Sequence, residues 1–119
     1  MGEADFFVLD TRSHRSPNGA VDDANKTMLG ATQKEALKQW LLSAPGKFRF
    51  IASSVPFNLD GGNDAWAGFR TEREELFSFI RDNGVGGVVL LSGDRHWPGM
   101  YRLTSAAPVS LYEFEPTPL

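Results

Sequence analysis

Short runs of consecutive apolar residues alternate along this chain with stretches in which apolar positions recur every three or four residues. Phe6-Phe7-Val8-Leu9, Phe48-Arg49-Phe50-Ile51-Ala52 and Val88-Val89-Leu90-Leu91 are too short for free-standing helices and are rich in β-branched or aromatic types. They read as strands, the first and last buried on both faces. Between them, Leu37, Trp40, Leu41 and Ala44 fall at i, i+3, i+4 and i+7, an amphipathic helix that begins near Gly30 and ends at Pro45-Gly46. Arg73, Leu76, Phe77 and Ile80 mark a second helix, and Asn83-Gly84 tolerates the left-handed turn that closes it. Thr32 with Glu35 and Thr71 with Glu74 have capping-box spacing. Met100 to Leu103 and Val109 to Phe114 predict a hairpin, with Val109, Leu111 and Glu113 opposite Ser110, Tyr112 and Phe114. The pattern therefore predicts an α/β fold: a parallel β-α-β-α-β unit followed by a C-terminal β-hairpin, one domain over residues 1–119.

Parallel strands place their C-terminal ends on one edge of a sheet, where ligands bind in α/β folds. Three polar clusters follow the three strands and so meet at one rim: Asp10 to Arg15, Ser53-Ser54, and Ser92 to His96. In the last of these Gly93 lets the backbone approach a ligand closely, and Asp94 and His96 offer a hard oxygen and a borderline nitrogen, a pairing suited to divalent or trivalent cations. Against that stands a plain turn in which Asp94 caps backbone N–H groups and His96 packs beside Trp97. Two ligands do not close a metal site, so others must come from elsewhere. Arg12, His14 and Arg15 could recognise phosphate through the guanidinium fork; the plainer expectation is an Asp10–Arg12 ion pair joining loop to strand. Ser53 and Ser54 read as backbone caps. Asp60, Asn63 and Asp64 read as a turn, because the closing bidentate glutamate of a calcium loop is missing. Trp40 reads as core, and Trp66, on the loop leaving the second strand, as bordering a pocket.

Composition narrows the partners. A formal net charge of −3 and a pI near 5.3 give no electrostatic footprint for nucleic acid or an anionic membrane. No apolar run approaches the ~20 residues of a membrane helix. The absence of cysteine excludes disulfides and thiolate metal sites and leaves the compartment open. Both ends of the chain lie close to strand-like stretches, which predicts a fragment of something longer.

Several blocks resemble one family, in order along nearly the whole chain: Leu9-Asp10-Thr11-Arg12-Ser13-His14-Arg15; Lys26-Thr27-Met28-Leu29-Gly30 with Gln33 and Trp40-Leu41; Ser53-Ser54-Val55-Pro56; Trp66-Ala67-Gly68-Phe69 with Glu72-Arg73; and Leu91-Ser92-Gly93-Asp94-Arg95-His96. They are similar to the PhoD-like alkaline phosphatase/phosphodiesterases of the calcineurin-like metallophosphoesterase superfamily. The resemblance implies part of a metallophosphoesterase sandwich with a two-metal site, iron and calcium, that hydrolyses phosphate mono- and diesters. It implies Asp94 and His96 as metal ligands and places Arg12 and Arg15 in the block that faces the phosphate. Asp94 stands where the superfamily has the first histidine of Gly-His-x-His, Ser53-Ser54 where it has another histidine, and His14 where tyrosine is common. The acidic ligands of the family's first half are missing, so the resemblance implies a C-terminal portion, inactive or nearly so alone, and an exported parent. Two other readings compete. A haloacid-dehalogenase-like phosphatase would need a second aspartate at the position of Arg12, which counts against it; a non-catalytic α/β interaction domain would keep the edge without the metals.

Overall fold

A computed structural model describes residues 4–43, 48–57, 62, 64–93, 99–102 and 111–115. Five strands form one sheet: β1 (Ala4–Val8), β2 (Phe48–Ser53), β3 (Val88–Ser92), β4 (Gly99–Arg102) and β5 (Tyr112–Glu115). Their order is β1-β2-β3-β5-β4; β1, β2, β3 and β5 are parallel, and β4 runs antiparallel to β5. Helix α1 (Ala31–Ser43) connects β1 to β2, and α2 (Arg70–Asp82), preceded by the 3-10 turn Trp66–Gly68, connects β2 to β3. The parallel unit and the hairpin are as the hydrophobic pattern predicts. The hairpin's second strand, described over Tyr112–Glu115, lies inside the sheet between β3 and β4, and Leu103, Val109 and Ser110 lie outside the described residues. Among the described residues no helix is long and apolar enough to cross a membrane.

Both crossovers step across the sheet in the same direction. Right-handed connections then put both helices on one face. Leu37 and Leu41 of α1 and Leu76, Phe77 and Ile80 of α2 join Ile51 of β2 and Leu90 of β3 in a single buried cluster. Trp40 adds to the α1 stripe by packing on Phe7, with ring centroids 5.5 Å apart, while Ala44 and the expected stop at Pro45-Gly46 lie outside the described residues. Val85 N–H donates to the Ile80 carbonyl and Gly84, at φ +61°, donates to Arg81, closing α2 where Asn83-Gly84 predicts.

Side chains alternate across a strand, and here that alternation divides the first strand in two. Phe7 and Leu9 pack toward the helices, whereas Phe6 is 61% and Val8 76% exposed. The expectation of a β1 run buried on both faces is therefore corrected: the helices cover one face and nothing described covers the other.

The capping boxes are also corrected. Helix α2 starts at Arg70, and its first N–H groups, Arg70 and Thr71, donate to the Asp22 carboxylate at 2.9 and 3.1 Å. Helix α1 starts at Ala31, so Thr32 already lies within it. A loop residue 48 positions away caps better than a local pair because the long loop after β1 folds over the helix end.

Candidate functional site

The described parts of the three polar clusters, Asp10 to Arg15, Ser53-Ser54 and Ser92-Gly93, converge at the C-terminal edge of the parallel strands. Past β1 the ladder continues for one residue, with Leu9 N–H donating to Ala52 O at 2.8 Å. The chain then turns, and the Asp10 carboxylate accepts the backbone N–H groups of Arg12 and Ser13, both at 3.0 Å. Those donors, Ser13 first, hold the Asp10 carboxyl down at about 2. Gln33 in the first turn of α1 clamps the same place: its side chain accepts from Asp10 N at 2.7 Å and donates to Asp10 O at 2.9 Å and Leu29 O at 3.0 Å. Thr11, buried, brings its hydroxyl to within 2.5 Å of the Ser54 hydroxyl, tying the first polar cluster to the second. Gly93 N–H donates to Ser53 O at 3.2 Å, which ties in the third. A Cβ on Gly93 would meet only Ser54 O, at 3.9 Å, an ordinary contact, so no described neighbour demands a glycine there.

The two arginines differ in their surroundings. Arg15 is stitched into the fold: Nε donates to Thr11 O at 2.7 Å, and Nη1 to Asn18 Oδ1, Asp64 O and Asp64 Oδ1 at 3.0 to 3.1 Å. Its guanidinium lies 5.4 Å over the Phe69 ring, whose centroid is also 4.4 Å from the Lys26 ammonium. Lys26 is itself buried, donating to Asn18 O and Gly68 O. Arg12 keeps 55% of its side chain exposed and reaches Asp64 through Nη1 at 3.3 and 3.5 Å. Asp64 is thus a partner of the Arg12 guanidinium, and the Asp10 carboxylate accepts the Arg12 backbone N–H, a main-chain link between the two residues expected to pair. The Asn18 amide, followed by the two arginines, holds the Asp64 carboxyl below its usual range.

Beneath the rim, buried charges hold loops in place. Glu72 accepts the Thr27 hydroxyl and the N–H groups of Met28 and Leu29, the latter two at 2.8 and 3.2 Å, with the Lys34 ammonium 3.4 Å away. This fixes the turn at Gly30, whose φ is +81° and where a Cβ would stand 3.0 Å from His14 Cβ. His14, Asp10, Gly30, Thr32 and Gln33 line a recess of ≈ 270 Å³ there. Glu113 accepts the Phe57 N–H, and Arg73 donates to Phe57 O at 2.7 Å while lying 4.7 Å over the Phe77 ring. Burial pushes the Arg73 pKa down, against the pull of Glu74 and Glu113. Trp66, expected to border a pocket, packs inward. It is fully buried, stacked on Phe57 with centroids 5.0 Å apart, and its indole N–H donates to the Ser53 hydroxyl at 3.3 Å. Ser53 also donates to Val55 O, which agrees with its reading as a cap.

Asp94 and His96 lie outside the described residues, so their placement is not part of this geometry. Among the described residues no three His, Asp or Glu side chains gather closely enough to hold a metal ion. The described donors do not by themselves fit a metal. Asp10 is engaged by main-chain N–H groups and Asp64 by cations. Sequence spacing does not single out Asp22, Asp64, Glu72 and Glu113 as site-building residues; each accepts hydrogen bonds from partners 43 to 56 positions distant, so no local spacing announces it.

A family model described as PhoD-like phosphatase matches residues 1–119. Alkaline phosphatase D of Bacillus subtilis (strain 168) is 30% identical over a 112-residue alignment covering 78% of this chain and 19% of that protein. A solved structure titled "Structure of PhoD" superposes with a TM-score of 0.83 at 28% identity, over 96% of this chain and 26% of that one. The chain therefore spans about a fifth to a quarter of the length of these relatives.

Proposed function

The chain belongs to the PhoD-like phosphatase family, and from that premise we propose that its residues form one edge of a metal-dependent phosphoesterase site whose other ligands lie in sequence outside these residues. The observation that carries this reading is the convergence of the Asp10 turn, Ser53-Ser54 and Gly93 at the C-terminal end of the parallel strands, with the Arg12 guanidinium exposed at that edge. Asp94 and His96, immediately after Gly93, are the residues proposed to hold metal, iron and calcium being the ions that the resemblance implies. When bound, such ions supply Lewis acidity for activating water and offset charge on the phosphoryl oxygens.

The described residues have separable parts in that chemistry. Arg12 offers N–H donors to a phosphate mono- or diester and stabilises charge developing on its oxygens. Arg15, although it stands in the same block, serves by holding the loop, because Thr11, Asn18, Asp64 and Phe69 already surround it. Thr11 and Ser54 lock the β1 and β2 exits together so that Arg12 and the Gly93 turn keep their separation.

Calorimetric titration of the chain with Ca²⁺ and with Fe³⁺ tests the ligand assignment. Binding that is lost in Asp94→Asn and His96→Ala supports it; unchanged heats in both variants overturn it. Hydrolysis of a phosphate monoester and a diester by the gene product carrying these residues tests Arg12. Arg12→Ala is expected to lower kcat about 100-fold, and an unchanged kcat would remove Arg12 from the mechanism.

A further inference from the structure

Asp64 belongs to a loop rich in small polar residues and reads from sequence as an ordinary turn. In the fold its carboxylate stands between two arginines of very different character. Arg15 holds it firmly, donating to both its backbone carbonyl, at 3.1 Å, and its Oδ1, at 3.0 Å. Asn18 Nδ2 adds a third donor at 3.2 Å. Arg15 is in turn only 11% exposed, backed by Phe69, and Phe69 is fully buried with Lys26 over its ring as well. The carboxylate is therefore anchored to the core through Arg15. Arg12 reaches that fixed carboxylate from the solvent side, at 3.3 and 3.5 Å.

We infer that Asp64 is a positioning residue for Arg12, aiming its guanidinium at the phosphate subsite from an anchor that Arg15 and Asn18 hold rigid. The inference rests on the reading of Arg12 as a phosphate-facing arginine. An exposed arginine on a loop samples many rotamers, and an anion that bound it would have to freeze them. A carboxylate fixed from behind restricts those rotamers beforehand. Arg12 keeps 55% of its side chain exposed, so an anion can reach the guanidinium that Asp64 restrains. Arg15 is the less accessible of the two: its Nε and Nη1 are committed to the loop, its Nη2 is buried, and its side chain is 11% exposed against 55% for Arg12.

The test separates Asp64 from Arg12. In the ¹⁵N-labelled chain, the order of the Arg12 Nε–H bond is measured by relaxation, and inorganic phosphate is titrated against the same signal. In Asp64→Asn the Arg12 Nε–H is expected to lose order while the backbone amides of Thr11 and Arg15 keep theirs, and phosphate should bind roughly tenfold more weakly. Asp64→Glu, which restores the charge, should recover most of both. A simple strut between loops would disturb the backbone and leave Arg12 no less ordered than its neighbours. Raising salt to ~1 M, where the Debye length is about 3 Å, should release Arg12 in the unaltered chain too, before Arg15, which gives the same answer should the Asn variant misfold. Equal Arg12 disorder in the wild-type chain and the Asn variant, or phosphate binding as tight or tighter in the variant, overturns the positioning role. Phosphate binding that survives Arg12→Ala, or is absent from the wild-type chain, overturns the Arg12 reading instead; the side-chain order then decides alone whether Asp64 restrains Arg12.

Discussion

The two faces of this sheet are made from similar residue types and meet opposite surroundings. On one, Ile51, Leu90 and Leu9 pack under α1 and α2 with Phe77 and Trp66. On the other, the register sets Phe6 beside Phe50 and Phe50 beside Val89, with Val8, Ala52, Leu91 and Phe114 in the next row. Phe6 and Phe50 stack at 4.8 Å, yet Phe6, Val8, Phe48 and Phe114 remain 43 to 76% exposed. The faces differ in chemistry as well. Every buried charge with a described role, Lys26, Glu72, Arg73 and Glu113, sits with the helical layer and its loops, whereas those rows of the bare face hold only apolar side chains. The covered face thus both packs the chain and places the rim. The bare face has the character of a surface that a second layer covers, as in sandwiches, and the chain spans about a quarter of its solved relative.

Truncating one phenylalanine on each face gives the largest expected contrast. Phe77→Ala should cost about 4 kcal/mol, because the ring is fully buried and also carries the Arg73 guanidinium. Phe6→Ala should cost about 1 kcal/mol in these 119 residues, chiefly its stacking on Phe50. Urea denaturation of both variants measures the difference. Repeating Phe6→Ala in a longer protein that contains this chain sharpens it: a cost that rises to several kcal/mol means that the face is covered there, and an unchanged cost means that it is not.

Glu72→Gln comes next and tests the polar half of the contrast. The amide keeps the shape but leaves weaker acceptors for the Thr27, Met28 and Leu29 donors and strips Lys34 of a partner. About 2 to 3 kcal/mol should be lost. Amide exchange should rise at Met28 and Leu29 more than in β1 or β2; a uniform rise across the sheet would mean that Glu72 serves the whole core rather than the loop that positions α1.

These effects also mark what the sequence could show. The element order, both helical stripes, the α2 stop at Asn83-Gly84 and the meeting of three polar clusters follow from period and punctuation, which are local. What escaped was non-local. Phe6-Phe7-Val8-Leu9 looks doubly buried because period-two burial cannot distinguish a face that a helix covers from one that waits for another layer. Thr71 and Glu74 had the capping spacing, but Asp22 took the helix end and Glu74 turned to Arg73. Trp66, on a loop full of glycine and asparagine, looked like a pocket wall, and the stacking partner that buries it, Phe57, lies nine positions away across a turn. The arginine pair was visible as a pair; its division into an anchored Arg15 and an exposed Arg12 depends on Phe69 and Asp64, which sequence spacing does not link to them.

Two smaller substitutions probe the edges of the covered layer. Gly30→Ala should cost about 1 to 2 kcal/mol, combining a left-handed φ with a Cβ that must push His14 aside. Asp22→Ala removes the acceptor for the first two N–H groups of α2 and should cost about 1 kcal/mol. If thermal melting shows Asp22→Ala to be the more costly, the long loop is doing more than capping one helix.

The smallest effect belongs to Asp10, at the rim where the two faces meet. Its carboxylate is fully exposed, so its depressed pKa comes from the Ser13 and Arg12 N–H groups that it accepts and owes nothing to burial. A carboxyl whose folded pKa lies below its unfolded value stabilises the fold above the unfolded value, near 3.9. That contribution fades as pH falls from there through about 2, where the folded group takes its proton. The Arg12 and Ser13 amide resonances should therefore titrate with a midpoint near 2. In Asp10→Asn, whose side-chain oxygen still accepts both bonds, they should stay flat, with the turn itself intact. A wild-type midpoint near 4 would mean that the turn does not hold the carboxylate in solution, and the rim would then owe its shape to the Gln33 clamp and the Thr11–Ser54 contact alone.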